Sequence, residues 1–333
     1  MKAAWYERNG PARQVLSVGE MDDPVPGHGE VRVRIAWSGV NPSDVKRREA
    51  FAGQVITFPR VIPNNDGAGI IDRVGEGVDP ARVGERVWLH STGYKRAFGT
   101  AAEYAVTLAT RAYPLPRGVP FAVGAGLGVP AMTAHRAVFG CGPVRGRTVL
   151  VTGGAGAVGF YAIQLAKRGG ATVVSTVSSA AKAEIARRAG ADHVIDYRRE
   201  RTAERIMALT DGAGVDHIAE VDFGANLPTT LAVIKGNGSI ATYASMTERE
   251  PKVPFYPLMM RNVTLLWVYV YEMPAAAMDA AARDTNAWLT SGTALHPASH
   301  GFALDRIADA HVAVEEGAVG KVMVEVGGES LEA

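Results

Sequence analysis

The sequence contains few of the features that mark secreted, membrane or nucleic-acid-binding proteins. Its 333 residues include one cysteine, Cys141, so no disulfide can form within the chain, and a reducing cytoplasm is the expected location. Lysine and arginine number 35 and aspartate and glutamate 34, a balance that argues against nucleic acid as a partner. The amino terminus lacks a signal-peptide core and no apolar run could span a bilayer, so we expect no membrane insertion.

The remaining composition is that of an ordinary globular protein. Aromatic residues make up only 7% of the chain, but hydrophobic residues make up 47% and charged residues 21%. The length is sufficient for about two domains, each with a core of its own.

The most informative stretch is an apolar run that ends in Gly154-x-Gly156-x-x-Gly159 and is followed at once by a helical pattern. In dinucleotide-binding proteins the first glycine permits a tight strand-to-helix turn and the second lets the backbone approach the pyrophosphate. The third lets the helix pack closely on the strand. The amino terminus of the helix then offers free N–H groups to the anion. We therefore expect a dinucleotide on this loop, whose other members are Ala155, Ala157 and Val158.

The chain has three regions of different texture. Residues 1–121 are rich in strand signals that are separated by glycine and proline, which indicates a β-rich domain. From 125 to 271, strands of valine and isoleucine alternate with helices, as in a doubly wound parallel sheet that is buried on both faces. After residue 271, two helices and a last strand should return to the first domain. The expected domains are therefore 1–124 together with 272–333, and 125–271.

Several segments besides the glycine loop carry a family resemblance. They are 38–44 (SGVNPSD), 63–69 (PNNDGAG), 83–87 (VGERV), 128–134 (GVPAMTA) and 320–322 (GKV). Together they resemble the medium-chain dehydrogenase/reductase superfamily over nearly the whole chain. Within it, the chain is similar to the zinc-independent quinone oxidoreductase branch, also called zeta-crystallin-like. The resemblance implies an α/β fold with a GroES-like, β-rich catalytic domain and a Rossmann domain inserted before the C-terminal return.

The resemblance also bears on metal binding. Zinc-dependent members of the superfamily use a cysteine in the first of these motifs, a histidine in a Pro-Gly-His-Glu motif, and a cysteine or aspartate shortly before the threonine. The matching positions here hold Asn41, Asn65 and Val129, and neither amides nor valine are good zinc ligands. The superfamily's structural zinc requires four cysteines. The sequence therefore predicts no metal.

The loss of zinc changes which substrates are suitable. Without a metal to polarise a carbonyl, unactivated alcohols and aldehydes are poor substrates, whereas conjugation in quinones and enones spreads the incoming negative charge. The leading hypothesis is hydride transfer from NADPH to a quinone. The runner-up is NADPH-dependent reduction of an activated C=C bond in an enone, alkenal or enoyl thioester. A third hypothesis is an NADPH-binding protein without turnover.

The resemblance also suggests residues that lie near the nicotinamide. It implies that Asn41 donates a hydrogen bond to substrate or nicotinamide, that Thr133 contacts the carboxamide, and that Asp44 lies nearby. A structural role for Asp44, as a turn acid after Asn41-Pro42-Ser43, is an equally open alternative. The resemblance further implies that Lys321 binds the cofactor.

The choice between NAD and NADP can be argued from the second strand of the dinucleotide domain. NAD-selective proteins place an acid about 20 residues beyond the glycines. Here the segment 175–182 (STVSSAAK) contains no acid. A carboxylate would repel a 2′-phosphate, whereas hydroxyls and an ammonium attract one. The sequence thus predicts NADPH, with Ser178 and Lys182 as phosphate ligands, and the resemblance adds Tyr197. The alternative is that Lys182 is a solvated helix residue.

The segment 263–271 (VTLLWVYVY) is an intensely apolar predicted strand. If it forms a sheet edge, exposure to solvent would favour aggregation. Pairing with its copy in a second subunit would cover it with two-fold symmetry. Relatives pair in this way, so we expect a homodimer or a multiple of one.

Overall fold

The structure is a computed structural model that describes residues 1–53 and 55–328. Two compact units divide the chain. Unit 1 comprises Met1–Val129, Asp284–Thr293 and the described part of Ala298–Ala333, and unit 2 comprises Pro130–Arg283 and Ala294–Pro297. Within the described ranges, no helix has both the length and the apolar character that crossing a bilayer requires.

The elements follow in chain order. The strands are β1 (Lys2–Trp5), β2 (Ser17–Glu20), β3 (Glu30–Val40), β4 (Asp66–Val74), β5 (Arg86–Leu89), β6 (Tyr104–Leu108), β7 (Ala112–Pro114), β8 (Thr148–Val151), β9 (Thr172–Val177), β10 (His193–Asp196), β11 (Val215–Glu220), β12 (Ile234–Thr242), β13 (Thr264–Trp267), β14 (Ser299–Ala303) and β15 (Lys321–Glu325). The α-helices are α1 (Ala12–Val15), α2 (Pro42–Arg48), α3 (Phe121–Ala125), α4 (Gly128–Phe139), α5 (Ala157–Arg168), α6 (Ala180–Arg188), α7 (Thr202–Leu209), α8 (Phe223–Val233), α9 (Phe255–Met259), α10 (Ala275–Thr290) and α11 (Ile307–Glu315).

Unit 1 is organised by the long strand β3. A mixed sheet runs in the order β14-β15-β3-β4-β5-β7, and β6 also pairs with β3. Alternate residues of β3, namely Val31, Val33 and Ile35, point into the core, where each is at most 1% exposed. The antiparallel pairing of β15 with β3 sets Val322 opposite Val40, so the C-terminal return meets the end of β3.

Unit 2 contains a parallel sheet of six strands, in the order β10-β9-β8-β11-β12-β13. Its strands are buried because helices cover them: Leu150, Val174 and Ile218 have no exposed surface. The strand order reverses between β8 and β11, which is the position where open α/β sheets bind ligands at the carboxyl ends of their strands. The predicted doubly wound sheet is therefore confirmed.

The predicted strand over 263–271 is wrong in length. The strand β13 covers Thr264–Trp267, at the edge of the sheet as expected, and a 3-10 helix follows at Val270–Glu272. The neighbouring strand β12 ends at Thr242, opposite Trp267. The N–H of Val268 makes one last bond to the Thr242 carbonyl, and the next residues leave the sheet because the ladder has ended.

Candidate active site

The glycine turn after β8 has the geometry that a dinucleotide requires. A Cβ on Gly154 would lie 2.0 Å from Ser175 Oγ, and a Cβ on Gly159 would lie 2.3 Å from the Gly153 carbonyl oxygen. A Cβ on Gly156 would meet only that same carbonyl oxygen, at 3.4 Å. Packing therefore requires the first and third glycines, whereas the second leaves open space beside the amino terminus of α5. A pyrophosphate could approach the backbone there.

Two of the three residues predicted to bind the 2′-phosphate, Ser178 and Lys182, contact each other after β9. Lys182 Nζ donates to Ser178 Oγ at 3.1 Å, and Ser179 caps α6 by accepting from the Lys182 N–H. The N–H of Tyr197 donates to the Val177 carbonyl at 3.0 Å, and its side chain is 52% exposed. A hydroxyl and an ammonium are thus in contact after β9, and the segment 175–182 contains no carboxylate.

A buried acid supports the glycine turn, and the sequence reasoning missed it. Glu220, the last residue of β11, has one carboxylate oxygen that accepts from Thr152 Oγ1 at 3.0 Å, the Asp222 N–H at 2.6 Å and Asn226 Nδ2 at 2.7 Å. Burial raises the pKa of Glu220. The carboxyl group thereby joins the end of β8 to the first turn of α8. Its position at the end of an apolar strand was the available signal.

In unit 1, Asn41 and Asp44 form the start of α2. Asn41 precedes the helix, and the Asp44 carboxylate accepts from the Asn41 N–H at 2.8 Å. The other Asp44 oxygen accepts from Asn65 Nδ2 at 2.6 Å. Burial and the neighbouring Asp66 charge raise the pKa of Asp44 to about 6, against the opposing effect of these hydrogen bonds. The structural role of a turn acid is therefore present, and contact with a ligand stays a prediction.

Asp66 is a second buried acid that the sequence reasoning missed. One of its oxygens accepts from Asn41 Nδ2 at 2.7 Å and from the Val129 N–H at 2.8 Å. Lys321 Nζ lies 3.6 Å from the same oxygen and donates to Asn41 Oδ1 at 2.5 Å and to the Val40 carbonyl at 3.2 Å. The Asp66 carboxylate thus binds the nitrogen of the Asn41 amide, and the Lys321 ammonium binds its oxygen.

The remaining predicted residues lie in different settings. Thr133 lies in α4 within unit 2 and is 4% exposed. Lys321, the expected cofactor ligand, is also 4% exposed and contacts groups of unit 1. Burial lowers the pKa of Lys321, while the charges of Asp66 and Asp44 oppose that effect. The assignments of Thr133 and Lys321 to the cofactor remain predictions.

The donor chemistry of this cluster does not suit zinc. The three matched ligand positions carry two amides and a valine, and the amide nitrogens of Asn41 and Asn65 already donate to carboxylates. Throughout 1–53 and 55–328, no group of three or more histidine, cysteine, aspartate or glutamate side chains is arranged to hold a metal ion. We derive no metal-dependent step from these residues.

Comparison with known families defines the class first. A model of the alcohol dehydrogenase GroES-like domain matches residues 27–117, and a model of a zinc-binding dehydrogenase matches residues 157–283. With the mixed sheet of unit 1 and the parallel sheet of unit 2, these matches define a medium-chain dehydrogenase/reductase. The predicted pairing of a GroES-like with a Rossmann-like region is confirmed.

The nearer relatives define the branch. The quinone oxidoreductase of Rattus norvegicus is 32% identical over 237 residues, which cover 71% of this chain and 70% of that protein. A quinone oxidoreductase structure from Pseudomonas syringae pv. Tomato DC3000 aligns with a TM-score of 0.87 at 25% identity, over 98% of this chain and 99% of that one. A mycobacterial structure complexed with NADPH aligns with a TM-score of 0.85 at 29% identity, over 98% and 100%. The chain belongs to the zinc-independent quinone oxidoreductase branch of the superfamily.

The glycine geometry predicts different effects for two matched substitutions. Gly156→Ala should change the free energy of unfolding by less than about 1 kcal/mol, because its Cβ has space, but should raise the Kd for NADPH about tenfold by blocking the pyrophosphate. Gly159→Ala should lower the free energy of unfolding by about 1–3 kcal/mol, because its Cβ meets backbone. Urea unfolding and fluorescence titration measure these quantities. An unchanged Kd in Gly156→Ala would contradict the assigned phosphate position.

Proposed function

We propose that this protein is an NADPH-dependent oxidoreductase that reduces quinones without zinc. The observation that carries the proposal is the pair of amides, Asn41 and Asn65, at the zinc-ligand positions of a chain whose relatives are quinone oxidoreductases. An acceptor that must be reduced without a Lewis acid should already be electron-poor. Quinones meet that requirement because conjugation distributes the added charge.

The residues present fit NADPH. Ser178 and Lys182 would hold the 2′-phosphate with help from Tyr197, and the backbone around Gly156 would hold the pyrophosphate. When bound, the cofactor supplies the hydride. The mycobacterial relative that was solved with NADPH supports this choice.

We propose that Asn41, Asp44 and Thr133 act where the substrate meets the nicotinamide. Among the described residues, the Asn41 side-chain oxygen accepts from Lys321 and one of its N–H groups donates to Asp66; its second N–H would donate to a carbonyl oxygen of the substrate or the cofactor. Asp44 would act by holding the Asn41 backbone, and Thr133 would contact the carboxamide. Positioning of this kind raises the rate because the reactants are already oriented.

We also propose a role for each of the two domains. Residues 1–124 and 272–333 would form the catalytic domain and 125–271 the NADPH-binding domain. A cytoplasmic location agrees with the single cysteine.

We further propose a homodimer through the edge of the unit 2 sheet. The edge strand β13 carries Trp267, which is 62% exposed, and Tyr269 follows with 51% exposed. On nearby stretches of the chain, Phe255, Tyr256 and Met260 are each at least 67% exposed. Apolar side chains at an unpaired sheet edge are typical of a surface that a second copy covers.

The proposed activity predicts rapid NADPH oxidation with benzoquinone. The rate should exceed that with an enone or an enoyl thioester, because aromatisation of the reduced ring makes the quinone the stronger acceptor. Loss of absorbance of NADPH measures the rate. Faster turnover of the enone or the thioester would favour reduction of C=C bonds instead. Binding of NADPH without oxidation by any of the three acceptors would indicate a protein without turnover.

The phosphate site predicts a cofactor-specific effect of Lys182→Ala. The KM for NADPH should rise about tenfold, which corresponds to the loss of one charge-assisted hydrogen bond, while the KM for NADH should change little. Lys235→Ala is the control, because Lys235 pairs with Asp216 instead of with a cofactor-site hydroxyl. Equal changes for both cofactors would remove Lys182 from the phosphate site.

The proposed dimer predicts twice the chain mass in sedimentation equilibrium. Trp267→Glu should shift the protein toward monomers, because it places a charge on the edge strand. Val25→Glu serves as the control, since Val25 is 66% exposed in unit 1. A monomeric wild-type protein, or a dimer that Trp267→Glu leaves intact, would contradict the proposed interface.

A further inference from the structure

The three positions that match zinc ligands are joined to one another by hydrogen bonds. The Asp66 carboxylate links two of them, because one oxygen accepts from both the Asn41 side chain and the Val129 N–H. The Asp44 carboxylate links the third, because it accepts from Asn65 Nδ2 and from the Asn41 N–H. Two buried acids therefore connect the segments that a metal connects in zinc-dependent members of the superfamily.

Two acids at such a place require a positive charge, and Lys321 is positioned to supply it. Its Nζ lies 3.6 Å from Asp66 Oδ2 and donates to Asn41 Oδ1 and the Val40 carbonyl. Lys321 is 4% exposed and Asp66 is fully buried, so water contributes little to screening either charge. A buried carboxylate is tolerated when a cation and hydrogen bonds compensate it.

The backbone leaves room for this ion pair at two glycines. A Cβ on Gly39 would lie 3.2 Å from Lys321 Nζ and 2.2 Å from the Ala125 carbonyl oxygen. A Cβ on Gly128 would lie 2.1 Å from Asp66 Oδ1 and 2.9 Å from the Leu89 carbonyl oxygen. A side chain at Gly128 would collide with the Asp66 carboxylate, and one at Gly39 would collide with the Ala125 carbonyl and crowd the Lys321 ammonium, so both glycines leave room for the ion pair.

We propose that the Lys321 ammonium serves as the resident cation of this cluster in place of a metal, and that it acts as a positioning residue for Asn41. The ammonium contacts the carbonyl end of the Asn41 amide, and the Asp66 carboxylate contacts its nitrogen end. Rotating the amide by half a turn would set its oxygen against the carboxylate and its nitrogen against the ammonium. Only one orientation is therefore favourable, and it keeps one Asn41 N–H available for hydrogen bonding.

This inference rests on the proposed function only where it assigns Asn41 to the substrate end. It differs from the sequence-based expectation that Lys321 binds the cofactor. A cofactor ligand would change the Kd for NADPH when it is removed, whereas a residue that positions Asn41 would change kcat and leave that Kd nearly unchanged. The ion pair itself can be observed without any turnover.

The test uses Lys321→Met, which removes the charge and keeps the length, and the double variant Lys321→Met/Asp66→Asn, which also removes the unpaired carboxylate. Lys235→Met is the matched control, because Lys235 pairs with Asp216 and is 31% exposed. We expect Lys321→Met to lower Tm and to lower kcat with benzoquinone about 10- to 100-fold, with the Kd for NADPH within about twofold of wild type. The double variant should recover Tm but not kcat.

A readout that is independent of activity is the side-chain ammonium signal in proton–nitrogen correlation NMR. Wild type should show one ammonium signal that is protected from exchange with water, and Lys321→Met should lack it while Lys235→Met retains it. If the wild-type Lys321 signal is that of a neutral amine, no resident cation exists and the inference is wrong. It is equally wrong if the double variant recovers kcat, or if the Kd for NADPH rises as much as kcat falls. Absence of turnover in the wild type would instead contradict the proposed function and leave the NMR result to decide the ion pair.

Discussion

The burial of Asp66 constrains the segments of unit 1 that surround its carboxylate. Removing the partner of a buried carboxylate lowers the free energy of unfolding by about 3–5 kcal/mol. The groups that compensate the Asp66 charge are therefore fixed in position. The carboxylate receives hydrogen bonds from Asn41 before α2 and from the Val129 N–H in the first turn of α4, and Lys321 reaches it from β15. One buried charge at the start of β4 thus links that strand to three other segments of unit 1.

Unit 2 uses a buried acid in a similar way. Glu220 ties the end of β8 to the start of α8, beneath the turn that Gly154 and Gly159 permit. The Glu220 carboxyl group therefore stabilises the segments that flank the dinucleotide loop, and the missing side chains of the two glycines allow its tight turn. In both units, hydrogen bonds within the chain fix the polar groups. Because Asn41 and Asn65 are poor zinc ligands, the proposed chemistry has no Lewis acid and requires an acceptor that is already activated by conjugation.

The sequence supported predictions that depend on local pattern. The glycine loop, its strand and its helix were predicted because their signals lie within about twenty consecutive residues. The Lys321–Asn41 contact joins residues 280 apart and depends on the register of β15 against β3, which no local pattern specifies. The end of β13 was missed because the length of β12 determines it. Asp66 and Glu220 were missed because an acid at a strand end is visible in the sequence, but the distant groups that hydrogen-bond to it are not.

The most direct test of the account is the zinc content of active protein, measured together with NADPH oxidation by benzoquinone before and after exhaustive chelation. We predict far less than one zinc per chain and an unchanged rate, because amides and a valine occupy the matched ligand positions and Lys321 lies beside the Asp66 carboxylate. One zinc per chain, with activity that is lost on chelation and restored by added zinc, would contradict the central claim.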